Sequence, residues 1–155
     1  MTSMTGAGSV YLIDTNVLIY AYDGRDPAKQ RRAIGVLTAL EGSQLGALSV
    51  QVLGEFYVNV TRKPVNPLTV DEARQSTQRL HRAWKVFDLT PETHLRATAG
   101  VQEHVLSYWD ALLWATAMEN SVPFVLTEDQ QHQRLVENVR YLDPFATDFD
   151  MTILS

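Results

Sequence analysis

Val10-Tyr11-Leu12-Ile13 is an unbroken apolar run that stops at Asp14, and Pro123-Phe124-Val125-Leu126 is another that stops at Thr127. A strand with one face in water alternates apolar and polar residues. Runs this continuous therefore predict strands covered on both faces, as in a parallel sheet between helices. Parallel strands need crossover connections, and the intervening segments have helical spacing. Val17, Leu18 and Ala21 mark a helix over 15–22. Asp26-Pro27 is a cap followed by proline at the first helical position, with Ile34, Leu37 and Leu40 as an apolar stripe up to Gly42. Leu45 to Leu48 is a weaker strand candidate, after which Ser49 caps a helix bearing Leu53, Phe56, Tyr57 and Val60 and ended by Lys63-Pro64. Asn66-Pro67 marks a turn, and Thr69 to Glu72 has capping-box spacing ahead of a polar, arginine-bearing helix. Val86 to Leu89 reads as a strand, and Thr90-Pro91 as a helix start. Ser107-Tyr108-Trp109-Asp110 opens the most apolar helix, which runs to Asn120 and is expected at the centre of the molecule. Glu128-Asp129 begins a polar turn or short helix, and Val139 to Leu142 adds an edge strand. Strands alternating with helices give an α/β fold with a mainly parallel sheet.

At 155 residues the chain fits a single domain, 1–155, that buries roughly two-thirds of its extended-chain surface. Residues 1–8 read as a flexible N-terminal extension. There are no cysteines, which excludes thiol catalysis, disulfides and zinc-thiolate sites, so any metal must take oxygen or imidazole ligands. No apolar segment reaches the roughly 20 residues of a membrane span, and Met1 to Gly8 lacks the pattern of a signal peptide. The expectation is a cytoplasmic protein with no membrane partner.

Four carboxylates, Asp14, Glu55, Asp110 and Asp129, each stand where an apolar segment ends or a helix begins. Asp14 and Asp129 follow strands, and open α/β sheets bind ligands outside the carboxyl ends of their strands. Glu55 and Asp110 fall in the first or second turn of helices that start at the same edge. Gathered in one crevice, four acids would repel and raise one another's pKa values unless a hard cation such as Mg²⁺ or Mn²⁺ joined them. Such a site can acidify water and stabilise charge on phosphoryl oxygens. A formal charge of −5 argues against phosphate binding, but cations held by the acids would invert the local field.

Leu12-Ile13-Asp14-Thr15-Asn16-Val17-Leu18, Ser49 to Tyr57, Ser107-Tyr108-Trp109-Asp110-Ala111-Leu112 and Leu126-Thr127-Glu128-Asp129-Gln130 stand in an order that resembles PIN-domain ribonucleases. Among these the chain is most similar to VapC-like toxins of toxin–antitoxin pairs. The resemblance implies a three-layer α/β/α fold and an endoribonuclease that hydrolyses RNA with water activated by Mg²⁺ or Mn²⁺. It further implies a homodimer, and a cognate antitoxin bound in a hetero-oligomer. Asp14 and Asp110 match the acids most directly tied to the metal, and Glu55 and Asp129 those that complete the pocket, often through water. Asn16, Ser107 and Thr127 match small polar positions that orient carboxylates or hold water; as plain structure they would be a turn residue, an N-cap and a strand-end cap. After Asp129 the family commonly has glutamine-histidine-glycine, where this chain has Gln131-His132-Gln133, and Glu128 is an adjacent spare acid.

The four histidines show no pair at metal-ligand spacing on one helix face. Arg62 and Lys63, which follow the Glu55 helix, are candidates for RNA phosphate contact, as are Arg74, Arg79, Arg82 and Lys85, although a solvated helix face explains both sets equally well. Trp84, Trp109 and Trp114 read as core or dimer-contact residues, and stacking on a base is open to any that is exposed. Two other classes stay in view. A phosphatase of the haloacid-dehalogenase type would use Asp14 as nucleophile but wants an aspartate two residues on, where Asn16 stands. A non-catalytic RNA- or protein-binding module would keep the architecture alone.

Overall fold

The computed structural model describes residues 8–62 and 66–155. The expectation of a flexible start, and the residues Lys63 and Pro64, therefore lie outside the described residues, apart from Gly8. The apolar run at the start forms β1 (Tyr11–Ile13), every residue of which is buried. Asp14 leaves it in extended conformation and caps α1 (Thr15–Tyr22). Asp26 and Pro27 start α2 (Pro27–Ser43), with the Asp26 carboxylate accepting from Lys29 N–H. Its buried residues are Ala33, Val36 and Leu40, whereas Ile34 is 47% exposed. Of the expected stripe, Leu40 is buried and Leu37 packs against the core, and only Ile34 turns outward, because α2 carries apolar side chains on more than one side.

β2 (Gly46–Ser49) leads directly into α3 (Val50–Val60), where Ser49 Oγ accepts from Val52 N–H. Gly46 has no room for a side chain, since a Cβ there would run into the Trp84 indole. Thr69 and Glu72 form the capping box of α4 (Val70–Ala83), and β3 (Lys85–Phe87) follows. Thr90 and Pro91 open α5 (Pro91–His104), and Ser107 caps α6 (Tyr108–Glu119). Every α6 residue from Ala111 to Ala117 is buried, and each large aliphatic side chain so covered contributes ~1.5–3 kcal/mol. Helix α5 packs closely on it at Gly100, where a Cβ would meet Trp114 at 2.7 Å.

β4 (Phe124–Leu126) and β6 (Val139–Leu142) complete the parallel set, with a two-residue β5 (Leu135–Val136) between them in sequence. The strand order is β3-β2-β1-β4-β6-β5, all parallel except β5, which pairs antiparallel with β6. Val139 to Leu142 is therefore an inner strand, not the expected edge. β5 is too short to show an apolar period of its own. Helices flank this sheet in the expected α/β/α arrangement, and a final 3₁₀ turn (Met151–Leu154) rests against α2. The chain leaves β1 for β2 on one side and later enters β4 on the other, which opens a crevice beyond the carboxyl ends of β1 and β4.

Candidate metal centre

Asp14 ends β1 at this crevice and is almost wholly buried. One carboxylate oxygen accepts from Thr15 N–H at 2.7 Å; the other accepts from Thr127 Oγ1 at 2.7 Å and Asn16 Nδ2 at 3.4 Å. Thr127, at the end of β4, ties the crevice together. Its hydroxyl donates to Asp14 and accepts from Asn16 Nδ2 at 3.1 Å and Asp129 N–H at 3.0 Å. Carboxylate oxygens of Asp14, Asp110 and Asp129 all lie within 4.8 Å of one another. Asp110 reaches this point from the first turn of α6, whose register is set by Ser107 Oγ accepting from Asp110 N–H at 3.2 Å.

Glu55 is outside that triad but lines the same cavity of about 420 Å³, with one carboxylate oxygen accepting from Thr15 Oγ1 at 2.7 Å. Asn16 lines the cavity too, and Ser107 is exposed and acts as a helix cap. Arg62 is exposed just beyond α3, away from the cavity lining, and Lys63 lies outside the described residues. Glu128 lines the cavity but is engaged. It accepts from Tyr20 Oη at 2.6 Å and from Lys29 Nζ at 2.8 Å. The loop from 128 to 130 is a bend, with no helical turn. Gln133, in place of the expected glycine, adopts a left-handed backbone at φ 75°, held by its N–H to Tyr141 carbonyl and by Arg140 to its own carbonyl.

Sequence reasoning gave no role to three residues here. Gln130 Nε2 donates to Asp110 at 3.2 Å, and Arg134 Nη1 donates to Gln130 Oε1 at 2.7 Å, so a guanidinium orients the acid through an amide. Their nearness to Asp129 in sequence was the only available signal. Tyr141, on β6, is buried and feels the charges of Asp110 and Asp14.

The acids are poorly compensated. Burial pushes the Asp14 carboxyl up to about 7 against the hydrogen bonds that favour its anion, and the charges of Asp129 and Glu55 push the same way. Asp129 is also raised, by burial and then by the charge of Asp110. Among the described residues, the buried side-chain polar atoms with no hydrogen-bond partner are Asn16 Oδ1, Gln51 Oε1 and Tyr141 Oη. Asn16 and Gln51 line the cavity, and Tyr141 stands beside the triad. Buried polar atoms normally have partners, so unsatisfied acceptors beside mutually repelling carboxylates fit a bound hard cation and its water. The donor set is all oxygen, which suits Mg²⁺ or Mn²⁺ and not a soft metal. Asn16, where a phosphatase of the haloacid-dehalogenase type would want a second acid, instead donates into Asp14.

A family model described as PIN domain matches residues 11–138. A search of the curated proteins finds no match. Among solved structures the chain is similar to a toxin–antitoxin complex from Klebsiella pneumoniae, at 23% identity and TM-score 0.63 over 87% of this chain and 98% of that one. It is similar to VapBC2 from Rickettsia felis bound to a DNA fragment from its promoter, at 14% identity and TM-score 0.60 over 85% and 96%. A third is VapC20 of Mycobacterium tuberculosis, a sarcin-ricin loop cleaving toxin, at 19% identity and TM-score 0.58 over 74% and 86%. These identities establish a shared fold, while the family match runs from β1 through β5 and takes in all four acids: the chain belongs to the PIN domain family.

Proposed function

We propose that this protein is a Mg²⁺- or Mn²⁺-dependent endoribonuclease and the toxin of a toxin–antitoxin pair. The observation that carries the reading is the meeting of Asp14, Asp110 and Asp129 within 4.8 Å at the switch point of the sheet. These three would hold the ion, with Asn16 Oδ1 facing its water. An ion held there supplies acidified water and neutralises charge on the phosphoryl oxygens. Glu55, which lines the cavity beside Asp14 but outside the triad, would complete the pocket through water. Thr127 and Asn16 fix the Asp14 carboxylate, Ser107 sets the register that delivers Asp110, and the Arg134–Gln130 pair orients it.

RNA as substrate and a cognate antitoxin are supported by the solved relatives, which include toxin–antitoxin complexes and a toxin that cleaves the sarcin-ricin loop; a homodimer within a hetero-oligomer and a cytoplasmic location belong to the same proposal. No helix among the described residues is long and apolar enough to cross a membrane. Arg62, exposed outside the cavity lining, would add a phosphate contact, and Lys63, its neighbour in sequence, is proposed for the same role. The test is cleavage of total RNA by purified protein with Mg²⁺ or Mn²⁺. Asp14→Asn and Asp110→Asn should each slow it by roughly 10²–10³-fold, the cost of removing one preorganised charge-stabilising group, with far-UV circular dichroism unchanged. Cleavage at the wild-type rate by both variants would sink the assignment. Absence of Mn²⁺ binding by calorimetry would favour a non-catalytic module instead.

A further inference from the structure

Trp109 is 61% exposed although it stands one residue before Asp110 on the most buried helix of the molecule. Its two fellow tryptophans are core residues, Trp84 at 9% and Trp114 at 2% exposure. The exposed indole is nevertheless held at its root. Gln51 Nε2 donates to the Trp109 carbonyl at 3.0 Å, and the Tyr108 ring meets the indole edge-on at 4.9 Å, itself fixed by a 2.8 Å bond between its hydroxyl and His94. Trp109 lines the cavity that contains the carboxylates. The other aromatic ring lining it, Tyr20, is occupied by the Lys29 ammonium over its face and by Phe145 at its edge. Trp109 is therefore the cavity aromatic left to offer a π-face.

The same cavity is bordered by Arg25, which Asp23 grips through Nε and Nη2. Two donor groups are spent on Asp23, and the rest of a guanidinium always charged at neutral pH stays outward. An aromatic face, a fixed cation and an acidic floor in a space of about 420 Å³ match the parts of a nucleotide in turn: base, flanking phosphate and the phosphodiester to be cut. A protein segment would gain from the indole but has no general need of a cation on the same cavity.

We infer that the base next to the cleaved phosphodiester leaves its stack and lies on Trp109, with the adjoining phosphate paired to Arg25. This rests on the nuclease reading and deepens it: the substrate must present an unpaired nucleotide at the cut, and Trp109 is a positioning residue for it. Base–aromatic stacking supports a loss of roughly 5–150-fold on removal of the ring.

The test uses full-length protein and short single-stranded RNA oligonucleotides of mixed sequence, with the matching duplexes as control. In the Asp14→Asn protein, RNA binding followed by anisotropy should quench tryptophan fluorescence and shield it from acrylamide, since Trp109 is the exposed tryptophan. Duplexes should do neither. In otherwise wild-type protein, Trp109→Ala should raise KM for RNA roughly 10-fold or more with a smaller change in kcat, Trp109→Phe should recover most of it, and Arg25→Ala should lower the salt dependence of binding by about one phosphate contact. An unchanged KM in Trp109→Ala, equal binding of duplexes, or RNA bound without quenching overturns the inference. So does a Trp109→Ala protein that has lost only its self-association or its antitoxin binding. Binding with quenching but no cleavage by the wild-type protein would uphold the platform and sink the nuclease reading, and no RNA binding at all would sink both.

Discussion

Glu128 and Asp129 share one loop, yet Glu128 meets the Lys29 ammonium and the Tyr20 hydroxyl while Asp129 faces the like charges of Asp110 and Asp14. Lys29 also lies over the Tyr20 and Phe145 rings, so Glu128 receives a positive charge from within the chain. Asp14, buried beside Asp129, receives hydrogen bonds but no cation, and Arg134 reaches Asp110 only through Gln130. The contrast separates two kinds of acid. One is neutralised by the fold and steadies it; the other is kept short of positive charge and must find it outside.

Three further experiments would break or sharpen that contrast. The largest effect belongs to Asp14. Its carboxyl sits near 7 in the folded state, above the ordinary value of about 3.9 in the unfolded chain. Between those values the folded protein holds a proton that the unfolded chain has lost, so metal-free stability should fall as pH rises from about 4 to about 7 and then level off. The full decline is of order 4 kcal/mol. Thermal melts in chelator should show it, added Mg²⁺ should recover stability at pH 8, and Asp14→Asn should remove most of the slope. A metal-free protein equally stable at pH 5 and pH 8 would mean that Asp14 is as well compensated as Glu128.

The second concerns the neutralised acid. Lys29→Met should destabilise the fold by about 1 kcal/mol, because the pair is partly exposed, while leaving Mn²⁺ affinity in calorimetry nearly unchanged. A large fall in metal affinity would move Glu128 into the site. The smallest effect is at the far end of the loop. Gln133 holds a positive φ that costs a residue with a Cβ roughly 1 kcal/mol, so Gln133→Gly should raise stability by up to that amount, read from the urea midpoint. No gain, or a loss, would show that the glutamine side chain, which meets the His132 ring at 3.4 Å, offsets the cost of its backbone.

Much of this was legible in the residues themselves. Continuous apolar runs announced β1 and β4, and Ser49, Thr69, Thr90 and Ser107 cap the helices they precede, since both signals depend on a few adjacent side chains. What depended on distant neighbours was not legible. The inner position of β6 is decided by β5, which is two residues long, and the buried face of α2 by what packs against it, so Ile34 and Val36 could not be ranked. The same holds in the site. The sequence supplied the four acids without showing that Asp129 joins Asp14 and Asp110 while Glu55 stands apart, or that Glu128 is claimed by a lysine 99 positions earlier. Gln133 shows the reverse case: the expected glycine is missing, yet the backbone it would have adopted is kept.

The pairing of Tyr11 with Phe124 in adjacent strands also has a consequence in time. A chain made from its N-terminus at ~5–20 residues per second releases Asp14 many seconds before the strand that must lie beside it. Contacts so remote in sequence close late in folding. The triad therefore cannot assemble on a half-made chain: until β4 and the loop after it have been made, Asp14 is a lone carboxylate with no Asp129 beside it.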